Sequence, residues 1–111
     1  GLGLLFKYVQ EDVDEAMRWL TLSSQQGYVD AQANLGQLLF ELGDKTAGTK
    51  WFKEAAGRGH PLSQVILGSL YMNGTVLQKN NAQAVIWFQA AAEQGNSLGQ
   101  HWLAQMHSEG T

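Results

Sequence analysis

Apolar residues return along this chain at intervals of three and four. Trp87, Phe88, Ala91 and Ala92 form one such series, Leu67, Leu70 and Tyr71 a second, and Leu35, Leu38 and Leu39 a third. That spacing winds a continuous stripe along an α-helix, whereas a strand would need strict alternation, and no stretch of the chain alternates. The pattern also recurs as near-identical wording. WFKEAAGRGHPLSQVILG begins at Trp51 and WFQAAAEQGNSLGQHWLA at Trp87.

Alignment on tryptophan brings together Trp19, Trp51 and Trp87, separated by 32 and then 36 residues. Seven positions earlier stand Asp12, Asp44 and Asn80; eight later stand Gly27, Gly59 and Gly95; sixteen later stand Leu35, Leu67 and Leu103. A constellation held at fixed offsets marks a structural repeat. Each offset has a helical meaning. Asp12, Asp44 and Asn80 predict N-caps, because their short polar side chains accept hydrogen bonds from the unpaired amides of a first turn. Glu15 and Gln83, three residues further on, complete capping boxes in two of the three. The glycines predict left-handed closures about fifteen residues later, and a second helix starts almost at once. His60 followed by Pro61 fits a cap with proline in the first turn; Asn96 and Ser97 supply similar chemistry in the next unit.

Small residues at Ser23 and Ser24, Ala55 and Ala56, and Ala91 and Ala92, with Gly36 and Gly68 on the partner helix, allow close backbone approach, while the repeated tryptophans are expected to provide the bulk of the core. A single hairpin of this kind cannot cover its own apolar face, so successive units must stack and bury it between them.

The stretch LGSLYMNGTVLQKNNAQAVIWFQAAAEQGN, Leu67 to Asn96, resembles the Sel-one-like repeat, a relative of the tetratricopeptide repeat. The family order of LG, aromatic, NG, loop, Asp, Ala, aromatic pair, AA and G falls on Leu67, Gly68, Tyr71, Gly74, Asn80, Ala84, Trp87, Phe88, Ala91, Ala92 and Gly95. The loop around Leu42 to Asp44 is about four residues shorter than that around Gly74 to Asn80, which accounts for the two tryptophan intervals. Leu2 to Tyr8 reads as the end of another unit's first helix, followed by a shortened loop before Asp12. His101 to Gly110 reads as the same helix stopped where the next loop would start. The expected fold is all-α: a right-handed α-solenoid of stacked antiparallel helix hairpins. It forms one repeat domain over 1–111, with a partial unit at about 1–27, units at about 28–59 and 60–95, and a terminal helix at about 96–109. The truncated ends suggest a portion of a longer array; a natural terminal cap is the alternative for the last helix. Leu4, Leu5 and Phe6 would then lie at the more vulnerable end.

The resemblance implies a non-enzymatic scaffold whose first-position helices line a concave groove for a partner protein or peptide, in bacteria often in envelope or host-contact settings. By analogy with tetratricopeptide geometry, the partner-facing residues would be Asn34, Gln37, Glu41, Ser69, Asn73 and Gln105; a merely solvated face is the alternative. Trp102, at the offset filled by Asn34 and Ile66, is open to three placements: against a neighbour, against a partner, or in the terminal core. A rival reading is architectural, with the array joining copies of itself, or the body of a longer chain, through its apolar ends.

Composition narrows the chemistry. The chain has 111 residues, 44% of them hydrophobic, with a formal charge of -3 and no run of Lys or Arg that would track a phosphate backbone, so nucleic acid is not the expected partner. The acidic group EDVDE at 11–15 reads as a helix start that welcomes negative charge. The absence of cysteine removes disulfides, thiolate metal sites and cysteine nucleophiles. It also removes the paired cysteines of those bacterial relatives linked to binding or hydrolysing cell-wall-like compounds. No apolar run approaches the ~20 residues of a membrane span. His101 and His107 are six residues apart, roughly 120° around a helix, which is poor ligand spacing. Neither a phosphate-binding glycine motif nor a nucleophile paired with a base is visible, so no cofactor, metal or catalytic residue is expected. Ser23 and Ser24 read as packing residues. The compartment is left open between bacterial envelope and cytoplasm.

Overall fold

The computed structural model describes residues 2–108, with side chains from Asp12 onward. Six α-helices follow one another: α1 (Leu2–Gln25), α2 (Val29–Glu41), α3 (Lys45–Gly57), α4 (Pro61–Asn73), α5 (Asn81–Glu93) and α6 (Ser97–Ser108). No strand occurs among the described residues. Each helix packs on the next, and α4 also touches α6, giving one row of α1, α3 and α5 against another of α2, α4 and α6. The result is an α-solenoid measuring 54 × 28 × 23 Å, with a radius of gyration of 16.0 Å. A compact chain of this length would have about 13 Å.

The helix ends follow from local chemistry. Gly27, Gly59 and Gly95 take φ of 90°, 97° and 84°, and Gly43 takes 97° at the end of α2. This left-handed turn lets the next two amides bond back to the last carbonyls. His60 N–H donates to Ala55 O at 3.1 Å and Gly59 N–H to Ala56 O at 3.0 Å; Asn96 with Ala91, and Gly95 with Ala92, repeat the pattern. The starts of α3, α4, α5 and α6 are capped by side chains, whereas Tyr28 at the start of α2 makes no such bond. Ala47 N–H donates to Asp44 Oδ1, Gln83 N–H to Asn80 Oδ1, Gly99 N–H to Asn96 Oδ1 and Ser63 N–H to His60 Nδ1. The second half of the box at Asn80 is replaced, because its backbone N–H donates to Tyr71 O at 2.9 Å across the hairpin.

Asp12 departs from this pattern. It lies inside α1, which runs unbroken through the expected loop, so neither a cap nor a capping box forms there and the EDVDE cluster marks no helix start. Between Leu4 and Gln26 there is no Gly to turn the chain at positive φ and no Pro to break the helix, so the shortened loop has little to turn on. Asp44→Ala is therefore expected to cost about 1 kcal/mol of stability in urea denaturation. Asp12→Ala, exposed in mid-helix, should stay within about 0.5 kcal/mol.

A second departure concerns the core. Phe52 is 3% exposed and Phe88 0%, whereas Trp51 and Trp87 are only half-buried and Trp19 is 64% exposed. Successive helical residues are rotated by about 100°, so only one of an adjacent aromatic pair can face the partner helix. Phenylalanine takes that place because it fits against glycine: a Cβ on Gly68 would stand 2.8 Å from the Phe88 ring. The Trp87 indole N–H is buried without a hydrogen-bond partner, a cost that the half-buried indole bears where it stands. Leu35, Leu67, Leu70, Ala55, Ala56 and Ala91 complete the buried stripe as expected.

The side chains of Gln32 and Gln64 add a feature the hydrophobic pattern does not reveal. Each is buried, and its Nε2 donates to a carbonyl eight residues earlier, Ser24 O and Ala56 O respectively, both at 3.1 Å. Gln94 Nε2 then donates to Gln64 Oε1 at 3.0 Å, tying the end of α5 to the start of α4. These clamps fix the angle between successive hairpins.

Candidate functional site

The row of α2, α4 and α6 leaves its outer surface hollowed. One hollow of about 260 Å³ is lined by residues that include Asp30, Asn34, Gln37, His60, Leu62 and Ile66. A second of about 470 Å³ lies beside it, lined among others by Gln37, Phe40, Glu41, Leu62, Ser69 and Leu98. Gln37, Leu62, Ile66 and Phe52 belong to both, so the two form one groove.

Four of the six polar residues expected to meet a partner line this groove: Asn34, Gln37, Glu41 and Ser69. Gln37 Nε2 donates to Glu41 Oε1 at 3.2 Å along α2, and Ser69 Oγ donates to Val65 O at 3.0 Å, which leaves that hydroxyl its acceptor capacity. Asn73 and Gln105 are exposed on α4 and α6 and line neither hollow. Trp102 is partly buried and packs against the terminal core. Its ring stacks on Phe88 at 6.2 Å and 19°, against the cluster of Val65, Ala84, Phe88, Ala91 and Met106, and meets His101 edge-on at 5.4 Å.

Polar offsets alone miss the groove's floor. Leu62 and Leu98 are 44% and 48% exposed and line it together with Ile66 and Phe40. The signal for them is present in the sequence: both leucines stand three residues after a helix-closing glycine, off the stripe of Leu35, Leu67 and Leu103.

One constellation in the groove has the look of catalytic machinery. Ser63 Oγ lies 2.8 Å from His60 Nδ1, and His60 Nε2 lies 3.6 Å from Asp30 Oδ1. Sequence spacing gives no hint of this three-residue set, since Asp30 comes from another helix. Its geometry is nevertheless that of a helix cap. The same Nδ1 accepts the Ser63 amide, Ser63 is fully buried beyond reach of a substrate, and the Asp30 carboxylate is almost entirely in solvent. The described residues contain no group of three His, Asp or Glu that could hold a metal ion.

Charge is distributed unevenly. Neither hollow of the groove is lined by Lys or Arg among the described residues. Lys50, Lys53 and Arg58 line a separate crevice on α3 that shares no residue with the groove; Arg58 there faces Glu54 at 3.8 Å.

Known proteins with this arrangement agree on its class. Solved structures sharing the fold include c5321, a protective antigen present in uropathogenic Escherichia coli strains and displaying an SLR fold, with a TM-score of 0.80, 38% identity and coverage of 87% of this chain and 21% of that one. A Sel1 repeat protein from Oxalobacter formigenes matches with a TM-score of 0.77 and 35% identity over 83% of this chain and 72% of its own. An uncharacterized protein of Neisseria meningitidis serogroup B is 30% identical over 87 residues, which are 76% of this chain and 18% of that protein. The chain thus spans about a fifth of the length of two of these relatives. The Sel1 repeat model matches residues 1–28, 29–60, 61–96 and 97–111, end to end. With capped hairpins, glycine closures and a buried Phe set against Gly in register with those matches, the chain belongs to the Sel1 repeat family.

Proposed function

We propose that this chain is a non-enzymatic binding scaffold whose α2, α4 and α6 face receives a segment of a partner protein. Proteins built of Sel1 repeats generally mediate protein–protein interaction, and theirs is generally a non-catalytic scaffold fold. One observation carries the assignment to this face: Leu62 and Leu98 stand half-exposed in a groove with a polar rim, although the fold does not need them for its core. Apolar side chains held in a hollow by rigid helices are what a binding surface requires, since little ordering remains to oppose association.

Affinity capture tests this reading. The unmodified chain should retain partners that the Leu62→Ser/Leu98→Ser variant loses, with Tm lowered by no more than a few degrees. A Lys50→Ser/Lys53→Ser variant should retain them. Loss on the α3 variant with retention on the groove variant would move the site to the other face.

A second reading rests on a different surface. Trp19, Leu22 and Tyr28 are exposed large hydrophobic residues near the first interhelical turn, suited to joining another copy or further repeats. Leu4 and Phe6, expected to share that role, lie outside the described side chains. Mass that grows with concentration in light scattering would favour this architectural role.

A further inference from the structure

Resting on the reading of the groove as a binding site, we infer that its ligand is a peptide segment with a large aliphatic or aromatic side chain flanked by Lys or Arg. The floor is Phe40, Leu62, Ile66 and Leu98, which defines the apolar part of the match. The charged side chains on the rim are carboxylates. Asp30 lines the groove near the start of α2 and Glu41 near its end, eleven residues apart in the chain. At 1.5 Å per residue they are separated by roughly 16 Å along the helix, a distance that an extended peptide covers in about five residues.

No Lys or Arg among the described residues lines the groove to offset these charges, although four of the chain's seven basic residues stand at Lys45, Lys50, Lys53 and Arg58. Lys45 comes nearest in kind, its ammonium 5.8 Å from the Phe40 ring centroid, but it is not part of the lining. His60 Nδ1 accepts the Ser63 amide and its Nε2 faces Asp30 Oδ1 at 3.6 Å, while the Asp30 carboxylate stands almost entirely in solvent, within reach of a ligand cation. At the other end Glu41 sits in the last turn of α2, where the helix dipole adds partial negative charge. Glu41 accepts from Gln37 through Oε1, and its second oxygen remains as an acceptor for a cation. An apolar floor between two carboxylates selects against acidic segments and draws basic ones toward it.

Selection from a display library of random dodecapeptides on the immobilised 111-residue chain tests the inference. Enriched peptides should carry a Leu-, Ile-, Phe- or Trp-type residue with Lys or Arg on either side, about five residues apart as an extended chain would place them. The synthetic peptide with the highest enrichment should bind roughly five- to tenfold more weakly to Asp30→Asn/Glu41→Gln, a loss expected for two solvent-exposed charge contacts. Raised salt should weaken it on the unmodified chain and much less on that variant. Leu62→Ser/Leu98→Ser should weaken every selected peptide. Peptides lost on the leucine variant but showing no basic excess, or indifferent to Asp30 and Glu41, would overturn this inference and leave the groove standing as the site. No enrichment in repeated selections, or peptides unaffected by the leucine substitutions, would overturn both.

Discussion

Phe88→Ala is expected to destabilise the protein by about 3–5 kcal/mol, the cost of emptying a well-packed aromatic site. The ring is fully buried, lies within van der Waals reach of the space above Gly68, and stacks on Trp102. A small domain has only about 5–15 kcal/mol in total, so this one change removes a large share. Because each unit of a solenoid leans mainly on its neighbours, the damage should be local first. Amide hydrogen exchange should accelerate in α5 and α6 before α2 and α3. Trp19→Ala, at a residue 64% exposed, should cost less than about 1 kcal/mol although it deletes a larger side chain. Urea denaturation followed by circular dichroism compares the two. Equal losses would return the tryptophans to the core and contradict the packing described above.

Two glycines on α3 should respond with opposite signs to the same substitution. A Cβ on Gly48 would lie 2.7 Å from the carbonyl oxygen of Gly36 and 3.1 Å from the Phe40 nitrogen, both backbone atoms that cannot swing aside. Gly48→Ala must push α2 and α3 apart, at a cost of about 2–3 kcal/mol. Gly57 has no atom within 4 Å of its would-be Cβ and lies in the helical region with negative φ. Gly57→Ala should therefore stabilise by about 0.5–1 kcal/mol through reduced freedom of the unfolded chain. A thermal melt of each variant distinguishes them, and stabilisation by Gly48→Ala would mean that the hairpin is looser than its backbone separation implies.

Helix ends are largely legible in the sequence. Asp44, Asn80, Asn96 and His60 cap as their types predict, and Gly27, Gly59 and Gly95 close helices, because caps and closures are hydrogen bonds between residues no more than five apart. Asp12 shows where such reasoning fails. Its side chain suits a cap, but no Gly or Pro stands between Leu4 and Asp12 to end a helix, and an aligned offset cannot reveal that a loop has vanished. Of the residues lining the groove, Asn34, Gln37, Glu41 and Ser69 are reached through the analogy with tetratricopeptide geometry, whereas polar offsets alone miss its apolar floor.

The sequence alone determined that the chain is a row of helix pairs, since period, caps and glycines all act within one or two turns. Tertiary structure decided which member of each Trp-Phe pair is buried, which glycines touch, and that Asp30, His60, Leu62 and Leu98 share one face. Those outcomes depend on the shape of the surface opposite, supplied by residues up to 68 positions away along the chain, as from Asp30 to Leu98, and no local pattern encodes it.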